Sequence, residues 1–254
     1  MRFASLGSGS QGNALVVECG ATRVLLDCGF GGRDTTLRLA RLGLEPGDIA
    51  AVVVTHEHSD HIAGAYKFAR RCGIPVHLTH GTASGFPGDL GERPKLVEID
   101  GHASFGVGDV EVHPYPVPHD AREPVQFVFS DGARRLGVLT DSGTSTPHIE
   151  ATLSGCHALV LECNHDLAML EAGNYPPQLK RRIAGRYGHL DNGQAGALLG
   201  ALDQSRLTQV VAAHLSKQNN RPELARAALA AAMGCAGDWI HVATQETGFG
   251  WLEA

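Results

Sequence analysis

The join at residues 49–69 constrains this chain most. An apolar run, Ile49 to Val54, is closed by Thr55 and followed at once by His56-Glu57-His58-Ser59-Asp60-His61; residues Ile62 to Ala69 then carry apolar side chains at helical spacing. A short apolar run bounded by polar residues reads as a buried strand, and the spacing after it as a helix. Three imidazoles and the Asp60 carboxylate therefore lie where a strand ends and a helix begins, a density suited to metal ligation. His56 and His58, two apart on extended backbone, share a face and can bind one ion. Asp60 and His61 lie past the strand end, turn the other way and suit a second. Taken singly, each histidine is most simply a core or surface residue and Asp60 a helix N-cap. The six together are far rarer than any such explanation of the parts.

The same placement recurs along the chain. Apolar strands also end at Asp141, His165 and His214, and His119 follows Pro116-Val117-Pro118, where the prolines end a strand and stiffen the loop. Strand ends from one sheet edge can converge on one site. The coarse pattern is strands first, then strands alternating with helices. Helices are expected at 34–42, from 62 to about 71, at 167–171, at 178–183, from Asp191 or Asn192 to about 202, and at 222–233 with Pro at its first turn and Gly234 beyond its end. A strand at 239–244 is expected to be the last. The stretch Gly81 to Pro94 cannot be placed. The loop Gly7-Ser8-Gly9-Ser10-Gln11-Gly12-Asn13 reads either as an anion cradle of backbone N–H groups or as a plain flexible turn.

No linker, composition break or repeat interrupts the 254 residues, so one domain over 1–254 is expected; an apolar content of 43% can fill its core. The net charge of −6 provides no global pull toward nucleic acid. The six cysteines form no C-x-x-C pair and read as free thiols of a reducing compartment. With no apolar run near membrane length and no signal-like start, a cytoplasmic protein without membrane contact is expected.

With these stations in order, the sequence resembles the metallo-β-lactamase superfamily, whose most specific signature is the H-x-H-x-D-H motif of residues 56–61. Pro118-His119-Asp120, Leu139-Thr140-Asp141-Ser142-Gly143 and Ala213-His214-Leu215-Ser216 resemble its later stations. The resemblance implies an α/β (α+β) fold, a four-layer αβ/βα sandwich with the site at one sheet edge. It implies His56, His58 and His119 on one divalent ion, Asp60, His61 and His214 on another, and Asp141 shared. Within the superfamily the likeness is to the YycJ/WalJ group, carried by the Gly/Ser loop, Glu162-Cys163-Asn164-His165-Asp166, Gly188-His189-Leu190 and His214 to Asn220. That group implies a nuclease with 5′→3′ exonuclease action on DNA. A looser likeness to tRNA 3′-processing endonucleases implies that Glu162 and His189 flank the metals.

The expected activity is thus a dinuclear metal-dependent hydrolase, a phosphodiesterase or nuclease acting on nucleic acid, DNA before RNA. The alternatives are a small cyclic phosphodiester, a thioester or β-lactam-type substrate, or a catalytically silent scaffold. Histidine-rich ligation suits Zn²⁺, while the carboxylates also admit Mn²⁺ or Fe²⁺. His189, oriented by Glu162, is the candidate to meet charge developing on the phosphoryl group. His165 is a candidate for phosphate contact or ligand support, and Asp60 for a second duty as proton donor. Glu57 and Ser59 read as spacers that point away. Lys180, Arg181, Arg182 and Arg186 read either as a solvated face or as the lining of an entry for a nucleic-acid backbone, and Lys217, Asn219 and Asn220 are placed to reach phosphate oxygens. The sequence is compatible with a homo-oligomer.

Overall fold

A computed structural model describes residues 1–86 and 94–254. Strands β1 (Arg2–Gly7), β2 (Ala14–Cys19), β3 (Thr22–Leu26), β4 (Ala51–Val53), β5 (Val76–Thr79) and β6 (Leu96–Ile99) belong to one sheet. Strands β7 (Phe105–Val107), β8 (Val110–Pro116), β9 (Val125–Ser130), β10 (Arg135–Leu139), β11 (Ala158–Glu162), β12 (Gln209–Ala213) and β13 (Ile240–Val242) form a second. Each sheet begins antiparallel and continues parallel, from β3 to β6 in the first and from β10 to β13 in the second. The chain then returns as β14 (Phe249–Glu253) to pair antiparallel with β1. The expectation that the strand at 239–244 is the last is therefore corrected. β14 is interrupted by Gly250 and finds its partner at the opposite end of the chain, so no local pattern announces it.

The inner faces of the two sheets bury Phe3, Val17, Val24, Phe127, Phe129 and Val160 against one another. Helices α1 (Gly32–Arg41), α2 (Ser59–Ile62), α3 (Ala65–Cys72) and α4 (His80–Gly85) follow strands of the first sheet, with Leu39, Ile62, Tyr66 and Phe68 packed on its outer face. Helices α5 (Pro147–Leu153), α6 (Leu167–Ala172), α7 (Pro177–Ile183), α8 (Asn192–Ala201) and α9 (Pro222–Met233) accompany the second, where Ile149, Leu198 and Leu229 bury its outer face. The result is the expected four-layer sandwich. The parallel strands, covered on both faces, explain why Ile49–Val54 and Ala158–Leu161 read as unbroken apolar runs.

Local signals place most elements. Asp191 caps α8 in a box with Gln194, and Gly234 ends α9 in the left-handed conformation at φ 63°. The helix after the histidine motif begins earlier than its spacing predicts, at Ser59 with His58 as N-cap, and divides at Gly64. A Cβ at Gly64 would sit 1.9 Å from the Phe30 carbonyl oxygen, so the helix divides where the backbones touch. Thr79 caps α4 within the unplaced stretch Gly81–Pro94; residues 87–93 of that stretch lie outside the described residues. All six cysteines are free. Among the described residues no helix is long and apolar enough to cross a membrane.

Candidate metal centre and cleft

The parallel strands β4, β10, β11 and β12 all end on one side of the sandwich, and the residues that follow them meet there. His56, His58 and His119 place ligand atoms within 4.8 Å of one another, as do Asp60, His61 and His214. His56, His61 and Asp141 form a third such group, linking the first two, and Asp141, Glu162, His189 and His214 a fourth. Every residue expected as a ligand thus converges here, from stretches far apart in the chain.

The rings are aimed by oxygens behind them. His61 Nδ1 lies 2.8 Å from Asp27 Oδ2, and His56 Nδ1 3.0 Å from Thr55 Oγ1. Thr55 is itself held by Asp27 through backbone and hydroxyl. His119 Nδ1 lies 3.0 Å from the Gly188 carbonyl oxygen, and His214 Nδ1 3.0 Å from Glu162 Oε1. An oxygen on Nδ1 takes the N–H and leaves the Nε2 lone pair pointing into the centre. His58 differs, turning Nδ1 inward, 3.2 Å from His119 Nε2. His56 Nε2 is buried with no hydrogen-bond partner. Buried imidazole nitrogens rarely go unpaired, and convergent lone pairs on two neighbouring rings repel. A divalent cation answers both.

Charge points the same way. Burial opposes an imidazolium at His61, yet Asp141, Asp60 and Asp27 outweigh it and hold its pKa well above the ordinary value. At His214 burial is likewise overcome, chiefly by Asp141, and the pKa rises to about 9. Burial would raise the carboxyl of Asp141, but His214 and His61 keep it well below its usual range. The centre thus requires positive charge among its carboxylates, which protons or a metal can supply. Burial favours the neutral form of Asp60, but His61 and His214 outweigh it and hold its carboxyl far below the usual range.

Glu162 is buried at the end of β11 and ties two rings together. Its Oε1 lies 2.8 Å from His189 Nδ1 and 3.0 Å from His214 Nδ1; Oε2 accepts the backbone N–H of Ser142 and Leu190. His189 lines the cleft in front of the centre, and its pKa is raised to about 10, because Glu162 and Asp141 outweigh burial. His165 is not brought to this group. It is 1% exposed, with neither ring nitrogen hydrogen-bonded, and it lies outside the four ligand clusters and the cleft lining. That burial removes it as a phosphate contact.

The cleft holds about 400 Å³ between Ser10, Ser59 and the ligands on one side and Tyr175, Leu179 and Arg182 on the other. Ser59 therefore faces the cleft instead of pointing away. Glu57 is more than a spacer: its Oε1 accepts the backbone N–H of Arg122 at 2.8 Å and fixes the loop that carries His119. The Gly/Ser loop is neither an anion cradle nor a loose turn. Its N–H groups at Ser8, Gly9, Gln11, Gly12 and Asn13 donate to Thr244, Asn13, Gln245, Gly9 and Asp60. Asn219 and Asn220 are buried, Asn220 paired with Asn192, and Lys217 is engaged by Gln11 and Glu246, so none of the three waits for phosphate. Asp27, Thr55 and Asn13, whose Nδ2 lies 3.2 Å from His61 Nε2, are contributors that spacing alone does not reveal.

A four-layer αββα sandwich with a histidine and aspartate centre at the strand ends defines a metallo-β-lactamase-fold protein that binds divalent metal. A β-lactamase superfamily domain profile matches residues 22–214. The chain is 36% identical over 232 residues to exodeoxyribonuclease YycJ of Bacillus anthracis, covering 89% of this chain and 86% of that protein. To exodeoxyribonuclease WalJ of Streptococcus pneumoniae strain D39 it is 31% identical over 230 residues, covering 88% and 85%. The crystal structure of the metallo-β-lactamase fold protein YhfI from Bacillus subtilis superposes with a TM-score of 0.75 at 16% identity over 99% of each chain. The chain belongs to the β-lactamase superfamily and, within it, to the YycJ/WalJ family.

Proposed function

We propose that this protein is a metal-dependent phosphodiesterase that degrades DNA as an exonuclease. What carries the reading is the similarity, over nearly nine tenths of the chain, to two proteins named exodeoxyribonucleases. The site is consistent with it. His56, His58 and His119 would hold one divalent ion and Asp60, His61 and His214 a second, with Asp141 between them; nitrogen-rich ligation favours Zn²⁺, and the carboxylates accept Mn²⁺. Two such ions, when bound, polarise a phosphoryl oxygen and make a water acidic enough to attack near neutral pH.

The chain's own groups do the rest. Glu162 holds His189 by Nδ1, leaving Nε2 as the ring nitrogen not tied to a carboxylate. The carboxylate on Nδ1 leaves Nε2 of His189 to face the phosphoryl oxygens as negative charge develops on them. Arg182 of α7 lines the cleft, and the exposed cations near it, Lys180, Arg181 and Arg186, would add to the attraction of a phosphate backbone.

The test is a panel. Purified protein with Mn²⁺ or Zn²⁺ is offered single- and double-stranded DNA labelled at the 5′ or the 3′ end, RNA, bis-p-nitrophenyl phosphate and a thioester. Release of mononucleotides from the DNA is the expected outcome, and which label leaves first reads the polarity. Hydrolysis of the thioester alone, or of bis-p-nitrophenyl phosphate with no polynucleotide cleaved, overturns the nuclease reading.

A further inference from the structure

The cations of the arm from α6 to His189 are not equivalent. Lys180 Nζ donates to the Glu171 carbonyl oxygen at 2.6 Å, and Arg181 and Arg186 are exposed outside the cleft lining. Arg182 alone lines the cleft together with the ligand residues. Its Nε–H donates to Asp120 Oδ2 at 2.6 Å, its one polar partner among the described residues. Both Nη groups remain as donors, on a side chain 61% exposed.

Asp120 is placed between this guanidinium and the centre. Its other oxygen, Oδ1, lies 3.5 Å from His119 Nε2 and 3.8 Å from His58 Nε2. Its backbone N–H is fixed to the Tyr187 carbonyl oxygen at 3.0 Å. Held by Nε, the planar fork is pre-oriented with its remaining N–H groups available, the geometry that suits a phosphate. The interposed carboxylate also repels any anion from the space between fork and imidazoles. The guanidinium therefore cannot share the anion held at the centre and must meet a different one.

We propose that Arg182 binds the phosphate adjoining the one that is cleaved, with Asp120 as its positioning residue. The cleft then selects chains with at least two consecutive phosphodiesters over a lone phosphodiester. This rests on the phosphodiesterase reading above and adds a substrate length and a residue to it.

The experiment compares KM for the trinucleotide dTpTpT and the dinucleotide dTpT, in wild type and Arg182→Gln, each loaded with Mn²⁺. Exposed and outside every hydrophobic cluster, Arg182 can be replaced without unfolding the protein, and an unchanged Tm verifies it. One charge-assisted hydrogen bond predicts a wild-type preference for the trinucleotide of roughly tenfold in KM, with little change in kcat. Arg182→Gln is expected to erase that preference and to lower the salt slope of oligothymidylate binding, measured by fluorescence anisotropy, by about one. A preference that survives in the variant, or is missing in an active wild type, overturns the inference and leaves the phosphodiesterase reading intact. Failure of wild type to cleave either oligonucleotide overturns that reading instead. Anisotropy then decides the inference alone: an unchanged salt slope in Arg182→Gln refutes it, and a slope lower by about one supports it.

Discussion

The two walls of the cleft are built on opposite principles. The ligand wall comes from strand ends, and nearly every group in it is buried and aimed by a second group. Asp27 at φ 59°, Asp141 at 52° and His214 at 56° all belong to it, and they are the non-glycine residues with left-handed backbone among those described. Such conformations cost on the order of 1–3 kcal/mol each and persist only where the surroundings over-determine them. The arm wall, from α6 to His189, has two short helices, and α7 buries none of its residues. Helices of six or seven residues are marginal alone. The arm is held by its backbone: His189 N–H to the Ile183 carbonyl, Gly188 N–H to the Gly185 carbonyl, and the Tyr187 carbonyl to Asp120 N–H. The difference separates two tasks. Rigid strand ends hold charge in one geometry, while the arm presents an exposed, basic, lightly packed segment beside them, with Tyr187 62% exposed at its end.

That comparison can be broken most forcefully at Asp141, which touches the ligand rings of both groups. Asp141→Ala is expected to lose bound metal, by elemental analysis, and to reduce turnover by on the order of 10³-fold or more. Full metal content with normal turnover would remove Asp141 from the centre. His189→Ala sits at the seam between the walls and should keep its metal while kcat falls by about 10²–10³, the effect of removing one preorganised donor. Loss of metal in that variant would instead make His189 a ligand. Asp27→Asn, behind His61, is expected to weaken metal affinity by roughly 10–100-fold, measured by competition with a chelator; unchanged affinity would mean the His61 ring needs no carboxylate behind it.

The smaller effects probe the arm. A Cβ at Gly143 would sit 2.4 Å from the Arg186 carbonyl carbon and oxygen, so Gly143→Ala must lift the arm from the Asp141 loop. Overpacking of this kind predicts a stability loss of about 1–3 kcal/mol in chemical denaturation, with a raised KM for DNA and metal content retained. The double variant Lys180→Gln, Arg181→Gln is expected to alter KM only about two- to threefold and to lower the salt slope of DNA binding by about one for each phosphate left without its cation. An unchanged slope would confine substrate attraction to Arg182 and the centre.

The ligand set was legible because its members follow strand ends, four of them after β4 and one each after β8, β10 and β12, and an apolar run ending in His or Asp is a local signal. His56 to His61, His119, Asp141 and His214 could be named for that reason, whereas the placing of Glu162 and His189 at the metals came from the family resemblance. The amide pair Asn219-Asn220 misled for the same reason, since proximity to His214 along the chain says nothing about which way an amide turns. Here both turn inward, and Asn220 braces α8 and β11. Arg182 was legible only as one cation in a run, and its difference from Arg181 is a matter of which face of a short helix meets the cleft.

The sequence by itself determined the strand-end chemistry and the alternation of strands and helices, and the family resemblance carried by those stations implied the two-sheet sandwich with its site at one edge. Tertiary structure alone decided how each ring is aimed. Asp27 reaches His61 across 34 residues, the Gly188 carbonyl reaches His119 across 69, and Glu162 joins His189 and His214 across 27 and 52. A backbone carbonyl has no side-chain signature, and a hydrogen bond between distant segments depends on where the sheets bring them, which no local pattern of residues encodes.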